Sequence, residues 1–141
     1  GARIGSVIAT PELITVLKAC QAPYPISKPS SELAIKAFAP EHMTRSHDNI
    51  RACLDERARM QDALKQIPVV TTVFESDANF LLVRFQDADA VAEYLLVRGI
   101  VVRVMRQYPA IADCLRISIG TEAENTQLLQ ALKAFCRVPH A

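Results

Sequence analysis

The hydrophobic period of the chain changes at Pro68, and that change restricts the fold more than any other feature of the sequence. From about Thr44 to Ile67 the apolar residues recur at helical spacing. Ile50, Cys53, Leu54, Ala58, Leu64 and Ile67 form a stripe, and the Arg, Asp and Glu residues between them face solvent. After Pro68 the order becomes strand, helix, strand, strand, helix. "VVTTVF" and "NFLLVRF" read as β on either side of a polar kink at Glu75–Ala78. Asp87 or Asp89 can cap the helix "AVAEYLLVR", which Gly99 ends. "IVVRVM" and "LRISI" are strands, and "TEAENTQLLQALKAFC" is a helix that starts at Thr121, with Glu124 completing a capping box. Leu128, Leu132 and Phe135 give that helix an apolar face. The sequence therefore predicts an α+β unit, a sheet with helices packed on one face, preceded by a helical arm.

Upstream of the long helix the sequence predicts a strand at Ile4–Ala9, a helix opened by Thr10-Pro11, the loop "QAPYPISKPSS" and a helix through "SELAIKAFA". We divide the chain into residues 1–43, a segment that connects, and residues 44–141, the α+β unit. With 141 residues and 50% hydrophobic content the chain can bury one core. Its 16 basic and 15 acidic side chains are spread without blocks, so a net charge of +1 gives no electrostatic reason to expect nucleic acid or an anionic membrane. Residues 1–20 supply neither the basic nor the apolar region of a secretory signal, and the cytoplasm is the expected location.

Cys20, Cys53, Cys114 and Cys136 form no C-x-x-C pair and no metal-like cluster with His42, His47 or His140, so no metal site is expected. Cys53 and Cys136 fall on helix-periodic apolar positions, where a reduced thiol packs as a small buried hydrophobe. His42 and His47 lie in the polar stretch "PEHMTRSHDN" and are expected on the surface.

Chemistry concentrates in the last two strands. Alternation places Ile100, Val102 and Val104 on one face and Val101, Arg103 and Met105 on the other. In "LRISIG" the same rule sets Leu115, Ile117 and Ile119 against Arg116 and Ser118. Both arginines then point away from the apolar face, and the short connection "RQYPAIAD" makes the strands neighbours. Two guanidinium groups on one surface suit bidentate capture of carboxylate or phosphate. The plainer alternative is that each pairs with a distant Asp or Glu. Arg84 and Arg98 show no such convergence and are expected to be surface residues.

"CLRISIGTEAEN", "VVRVMRQYPAIADC", "SDANFLLVRF", "QAPYPISKPSSELA" and "GARIGSVIAT" occur in order along the whole chain. Together they resemble the C-terminal portion of the histidinol-phosphate aminotransferases, pyridoxal-phosphate (PLP) enzymes of the aspartate-aminotransferase fold. The resemblance implies the small C-terminal domain of a fold-type I PLP-dependent transferase. Residues 1–43 would be the end of the large PLP-binding domain. It also implies transfer of an amino group between glutamate and imidazole-acetol phosphate, giving histidinol phosphate and 2-oxoglutarate, in a cytoplasmic homodimer. Arg3, between Gly1 and Gly5, matches the arginine that binds the cofactor phosphate. Arg116 matches the arginine that holds the amino-acid carboxylate, and Arg103 one that receives the substrate's distal anion. The Schiff-base lysine of the family would precede residue 1, and none of Lys18, Lys28, Lys36, Lys65 or Lys133 matches it. The chain alone is thus expected to be inactive, to hold no PLP and to contain no catalytic residue. A threonine-phosphate decarboxylase, an aromatic aminotransferase or a non-catalytic ligand-binding module are the alternative readings.

Overall fold

A computed structural model describes residues 4–137. They fall into two compact units, Gly1–Asp48 and Asn49–Ala141. The first contains α1 (Pro11–Ala19) and α2 (Lys28–Ala37). Pro11 sits at the first position of α1, where its missing N–H is not needed. Ser27 caps α2, its Oγ accepting from the Ser30 N–H at 3.3 Å. Neither helix contains a buried residue. The strand expected at Ile4–Ala9 is absent: these residues have no regular structure and no ladder partner among the described residues. A β-run is not stable without a neighbouring strand to take its N–H and C=O groups, whatever its propensity.

Helix α3 (Pro40–Lys65) starts in the first unit and ends in the second. The second unit continues with β1 (Val70–Val73), β2 (Phe80–Phe85), α4 (Ala88–Val97), β3 (Arg103–Val104), β4 (Cys114–Ser118) and α5 (Glu122–Phe135), with a short 3-10 turn at Pro109–Ile111. The strands form one antiparallel sheet in the order β1-β2-β4-β3. Leu81, Val83 and Phe85 of β2 and Leu115 and Ile117 of β4 are buried on one face. They pack into a single core with Val91 and Leu95 of α4, Leu128, Leu132 and Phe135 of α5, and Met60 and Leu64 of α3. Each such side chain contributes roughly 1.5–3 kcal/mol by leaving water. Tyr94 meets Phe135 edge to face, with centroids 5.1 Å apart, and so ties α4 to α5.

The expected helix punctuation is present. Asp87 accepts from the Ala90 N–H at 2.9 Å. Thr121 and Glu124 form the reciprocal capping box. Gly99 adopts φ 75° and closes α4, with its own N–H bonded to Leu96 O and that of Ile100 to Leu95 O. This closure also corrects the expectation for "IVVRVM". Ile100 still belongs to the helix cap, and only Arg103–Val104 forms strand.

The stripe on α3 also differs from the expected one. Ile50 and Leu54 are 57% and 46% exposed and Ala58 is exposed, whereas Cys53, Glu56, Arg57, Met60, Leu64 and Ile67 turn inward. Polar anchors set this rotation. Arg57 Nη1 donates to Ala78 O at 2.9 Å, and Glu56 accepts from Asn125 at 2.8 Å. Cys53 and Cys136 are only half-buried. The buried cysteine is Cys114, on β4. His47 is exposed and His42 half-buried.

Candidate functional site

The sheet face opposite the core carries the arginines. In the β3–β4 ladder Arg103 lies directly opposite Arg116, and in the β2–β4 ladder Arg116 lies opposite Leu82 and Ser118 opposite Phe80. Residues opposed in this way have Cβ atoms about 4.5–5.5 Å apart on the same face. The structure thus brings Arg103 and Arg116 together, the first exposed and the second half-buried. Arg3 lies outside the described residues.

The Arg116 guanidinium lies over the Phe80 ring, its Cζ 5.1 Å from the centroid. Its Nε is buried and has no hydrogen-bond partner among the described residues. Neither Arg103 nor Arg116 belongs to any of the described ion pairs. Arg84 shares this face but is neutralised. Its Nε lies 3.0 and 2.9 Å from the two carboxylate oxygens of Asp113, and its Nη2 donates to Ala110 O at 3.0 Å. The hydrogen bond from Arg84 holds the Asp113 carboxyl below the usual carboxylate range. Pairing with a distant acid, the plain alternative for Arg103 and Arg116, is therefore realised at Arg84 instead. Arg98 lies with its Cζ 3.4 Å from the Tyr94 ring centroid, outside this group.

Further contacts fix the end of the face at Phe80 and Ser118. Ser76 Oγ donates to Phe80 O at 2.7 Å and accepts from the Ala78 N–H. On the other strand, the buried Asn125 accepts from the Gly120 N–H and donates to Gly120 O, each at 3.0 Å. A Cβ at Gly120 would stand 2.8 Å from Glu124 Oε2, the oxygen already committed to the capping box. The Arg59 and Asn125 hydrogen bonds hold Glu56 below its ordinary range. The sequence reading missed Glu56, Arg57 and Asn125. Asn125 had a signal, because it is three residues before Leu128 and so interrupts the apolar stripe of α5.

Phe74, Phe80 and Leu82 line, together with Glu75, Ser76, Asp77 and Ala78, an open cleft of about 550 Å³. Desolvation pushes the Cys114 thiol up, which makes it a packing group and not a nucleophile. Lys18, Lys28, Lys36, Lys65 and Lys133 are all exposed, so no described lysine is desolvated for Schiff-base chemistry. No group of three or more metal-ligating side chains is present among the described residues. What the face can do is hold a carboxylate or phosphate by guanidinium forks.

The sequence profile "Aminotransferase class I and II" matches residues 1–132. The histidinol-phosphate aminotransferase of Stenotrophomonas maltophilia is 49% identical over 133 residues, which are 94% of this chain and 36% of that protein. The chain thus spans about a third of the length of the curated relatives it matches. The crystal structure of the histidinol-phosphate aminotransferase from Clostridium acetobutylicum superposes with a TM-score of 0.74 at 28% identity, covering 88% of this chain and 37% of that one. L-threonine-O-3-phosphate decarboxylase from Porphyromonas gingivalis gives 0.71 at 19% identity, over 93% and 41% of the two chains, a likeness of fold.

Proposed function

Since the chain belongs to the class I and II aminotransferases, we propose that the complete protein carrying it transfers an amino group between glutamate and imidazole-acetol phosphate. In this reading the chain supplies the substrate-anion face. The observation that carries the reading is Arg116: a guanidinium whose buried Nε has no hydrogen-bond partner among the described residues, directly opposite Arg103, which is in none of the described ion pairs. A buried donor without a partner is unfavourable by about 1–3 kcal/mol, and an incoming carboxylate would satisfy it. The names of the relatives at 49% and 46% identity, histidinol-phosphate aminotransferase, support the choice of substrate.

The family is pyridoxal-phosphate dependent, and the cofactor supplies the electron sink for bond breaking at the substrate's α-carbon. The described residues do not by themselves make a site for it. Among the described residues, chain neighbours apart, no atom stands within 4 Å of where a Cβ on Gly5 would be, and every lysine is exposed. We assign Arg3 to the cofactor phosphate from the resemblance. The residues on the sheet face bind and orient. Arg116, with Phe80 beneath it, holds the α-carboxylate by two parallel hydrogen bonds and fixes the α-carbon in one place. Arg103, exposed and one strand further out, meets the distal phosphate of histidinol phosphate or the distal carboxylate of glutamate. Leu82 and Phe80 shield the contact from water. Residues 1–43 as the end of a large domain, a homodimer and a cytoplasmic location belong to the same proposal. No described helix is long and apolar enough to cross a membrane.

The test is the full-length protein assayed with histidinol phosphate and 2-oxoglutarate. Transamination is expected, with kcat/KM reduced about tenfold to a hundredfold by Arg116→Ala. Release of carbon dioxide from a phosphorylated amino acid, without amino transfer, would support the decarboxylase alternative.

A further inference from the structure

Two consecutive side chains of α3 hold the two strands at the end of the anion face. Arg57 Nη1 donates to Ala78 O at 2.9 Å, two residues before Phe80. Glu56 Oε2 accepts from Asn125 Nδ2 at 2.8 Å, and Asn125 uses its remaining groups on both backbone atoms of Gly120, two residues after Ser118. Phe80 and Ser118 are themselves a cross-strand pair, and Ile119 N–H donates to Asn79 O at 2.9 Å just beyond it. The helix therefore fixes both strands just beyond the same end of one rung, and that rung carries the ring over which Arg116 lies.

We propose that Asn125, with Glu56 behind it, is a positioning residue for Arg116, an inference that deepens and rests on the anion-binding reading of that arginine. Asn125 is 3% exposed and both of its amide hydrogens are used, so its orientation is fully determined. It sets where β4 leaves the sheet. The path of β4 between Leu115 and Gly120 sets how the Arg116 guanidinium lies on Phe80 and whether its fork faces outward. Glu56 is in turn fixed by two bonds from Arg59, at 2.8 and 2.7 Å. If Asn125 only capped α5 it would leave Arg116 indifferent, and the Thr121–Glu124 box already performs that task.

The experiment follows the arginine Nε–H signals of the 141-residue chain by NMR, titrated with inorganic phosphate and with glutarate. Asn125→Ala is expected to move the Arg116 signal away from its ring-shifted position. It should weaken glutarate binding about tenfold, the loss of one charge-assisted contact. The Arg84 signal, held by Asp113, should stay in place. Glu56→Ala should move Arg116 in the same direction, and Glu56→Gln, which keeps an oxygen for Asn125, should restore it. An Asn125→Ala chain with Arg116 and its glutarate affinity unchanged overturns the inference. If Asn125→Ala fails to fold, seen as loss of the Arg84 signal, the two Glu56 variants decide, and equal Arg116 signals in both overturn it. A native chain whose Arg116 ignores both anions while Asn125→Ala still displaces it would reject the anion-binding reading and keep the positioning role.

Discussion

Arg103 and Arg116 oppose each other directly across the antiparallel β3–β4 pair, and neither is in an ion pair with a carboxylate among the described residues. Like charges in that arrangement are unfavourable by roughly 0.2–1 kcal/mol. Arg103→Thr should therefore raise the melting temperature of the chain at low salt, and the gain should shrink as salt screens the pair. Added phosphate or glutarate should stabilise the native chain more than the variant. A variant that melts below the native chain at low salt would show that Arg103 has a favourable contact instead.

The two arginines should separate kinetically in the full-length protein. Arg116 sits deeper and is fixed on Phe80, so Arg116→Ala should reduce kcat/KM about tenfold to a hundredfold for every substrate with an α-carboxylate. Arg103→Ala should reduce it more for histidinol phosphate than for an amino acid with a neutral tail. Arg116→Lys should not restore activity, because an ammonium cannot reproduce the fork. The readout is kcat/KM across histidinol phosphate, glutamate and a neutral-tailed amino acid. Equal losses on all three for Arg103→Ala would leave that residue structural.

Acid should loosen the unit that holds these arginines. Glu56, Asp113 and Glu124 all titrate below their ordinary range, because of hydrogen bonds from Arg59, from Arg84 and from the Thr121 N–H respectively. A carboxyl whose folded value is depressed stabilises the fold fully above its unfolded value, about 4 for these residues. That stability is lost as pH falls through the lower folded value. Melting temperature should thus be flat between about pH 5 and pH 8 and drop below pH 4. Glu56→Gln should make the drop shallower, and an acid limb unchanged by that substitution would count against the assignment.

The order of elements from β2 onward was legible because its signals are local, whereas the stretch Glu75–Ala78, expected as a kink, lies in the reversal between two separate antiparallel strands, β1 and β2. The Asp87 and Thr121 caps, the φ 75° of Gly99 and the period-2 strands each depend on residues close in sequence. The convergence of Arg103 and Arg116 was legible for the same reason, since alternation and a short connection determine it. What escaped depends on partners distant in sequence. Arg84 reads as surface until Asp113, 29 residues away, is placed beside it. The inward face of α3 cannot be read without knowing that Glu56 meets Asn125, 69 residues on. Apolar Ile50 and Leu54 then lose the inward positions to polar residues with buried partners.

Neutralisation of Arg84 by Asp113 leaves Arg103 and Arg116 as the guanidinium groups of this face outside any ion pair among the described residues, and removing it should change anion preference. Arg84 is opposite Cys114, two residues along β4 from Arg116, so the two guanidinium-bearing positions are about 7 Å apart on the same face. Asp113→Asn keeps the shape of the side chain and removes its charge. At that spacing a freed positive charge in a water-like medium favours a bound monoanion by about twofold to threefold, and a dianion by about the square of that. Phosphate near pH 8 should therefore gain about fivefold to tenfold in affinity, well ahead of acetate. The chain should melt lower, because Arg84 loses its partner and the 3-10 turn at Pro109–Ile111 loses one of its anchors. Calorimetric titration with phosphate and acetate against the native and Asp113→Asn chains measures both affinities. If phosphate and acetate gained equally, or neither gained, Arg84 would not act on the anion face and its pairing with Asp113 would serve only the turn.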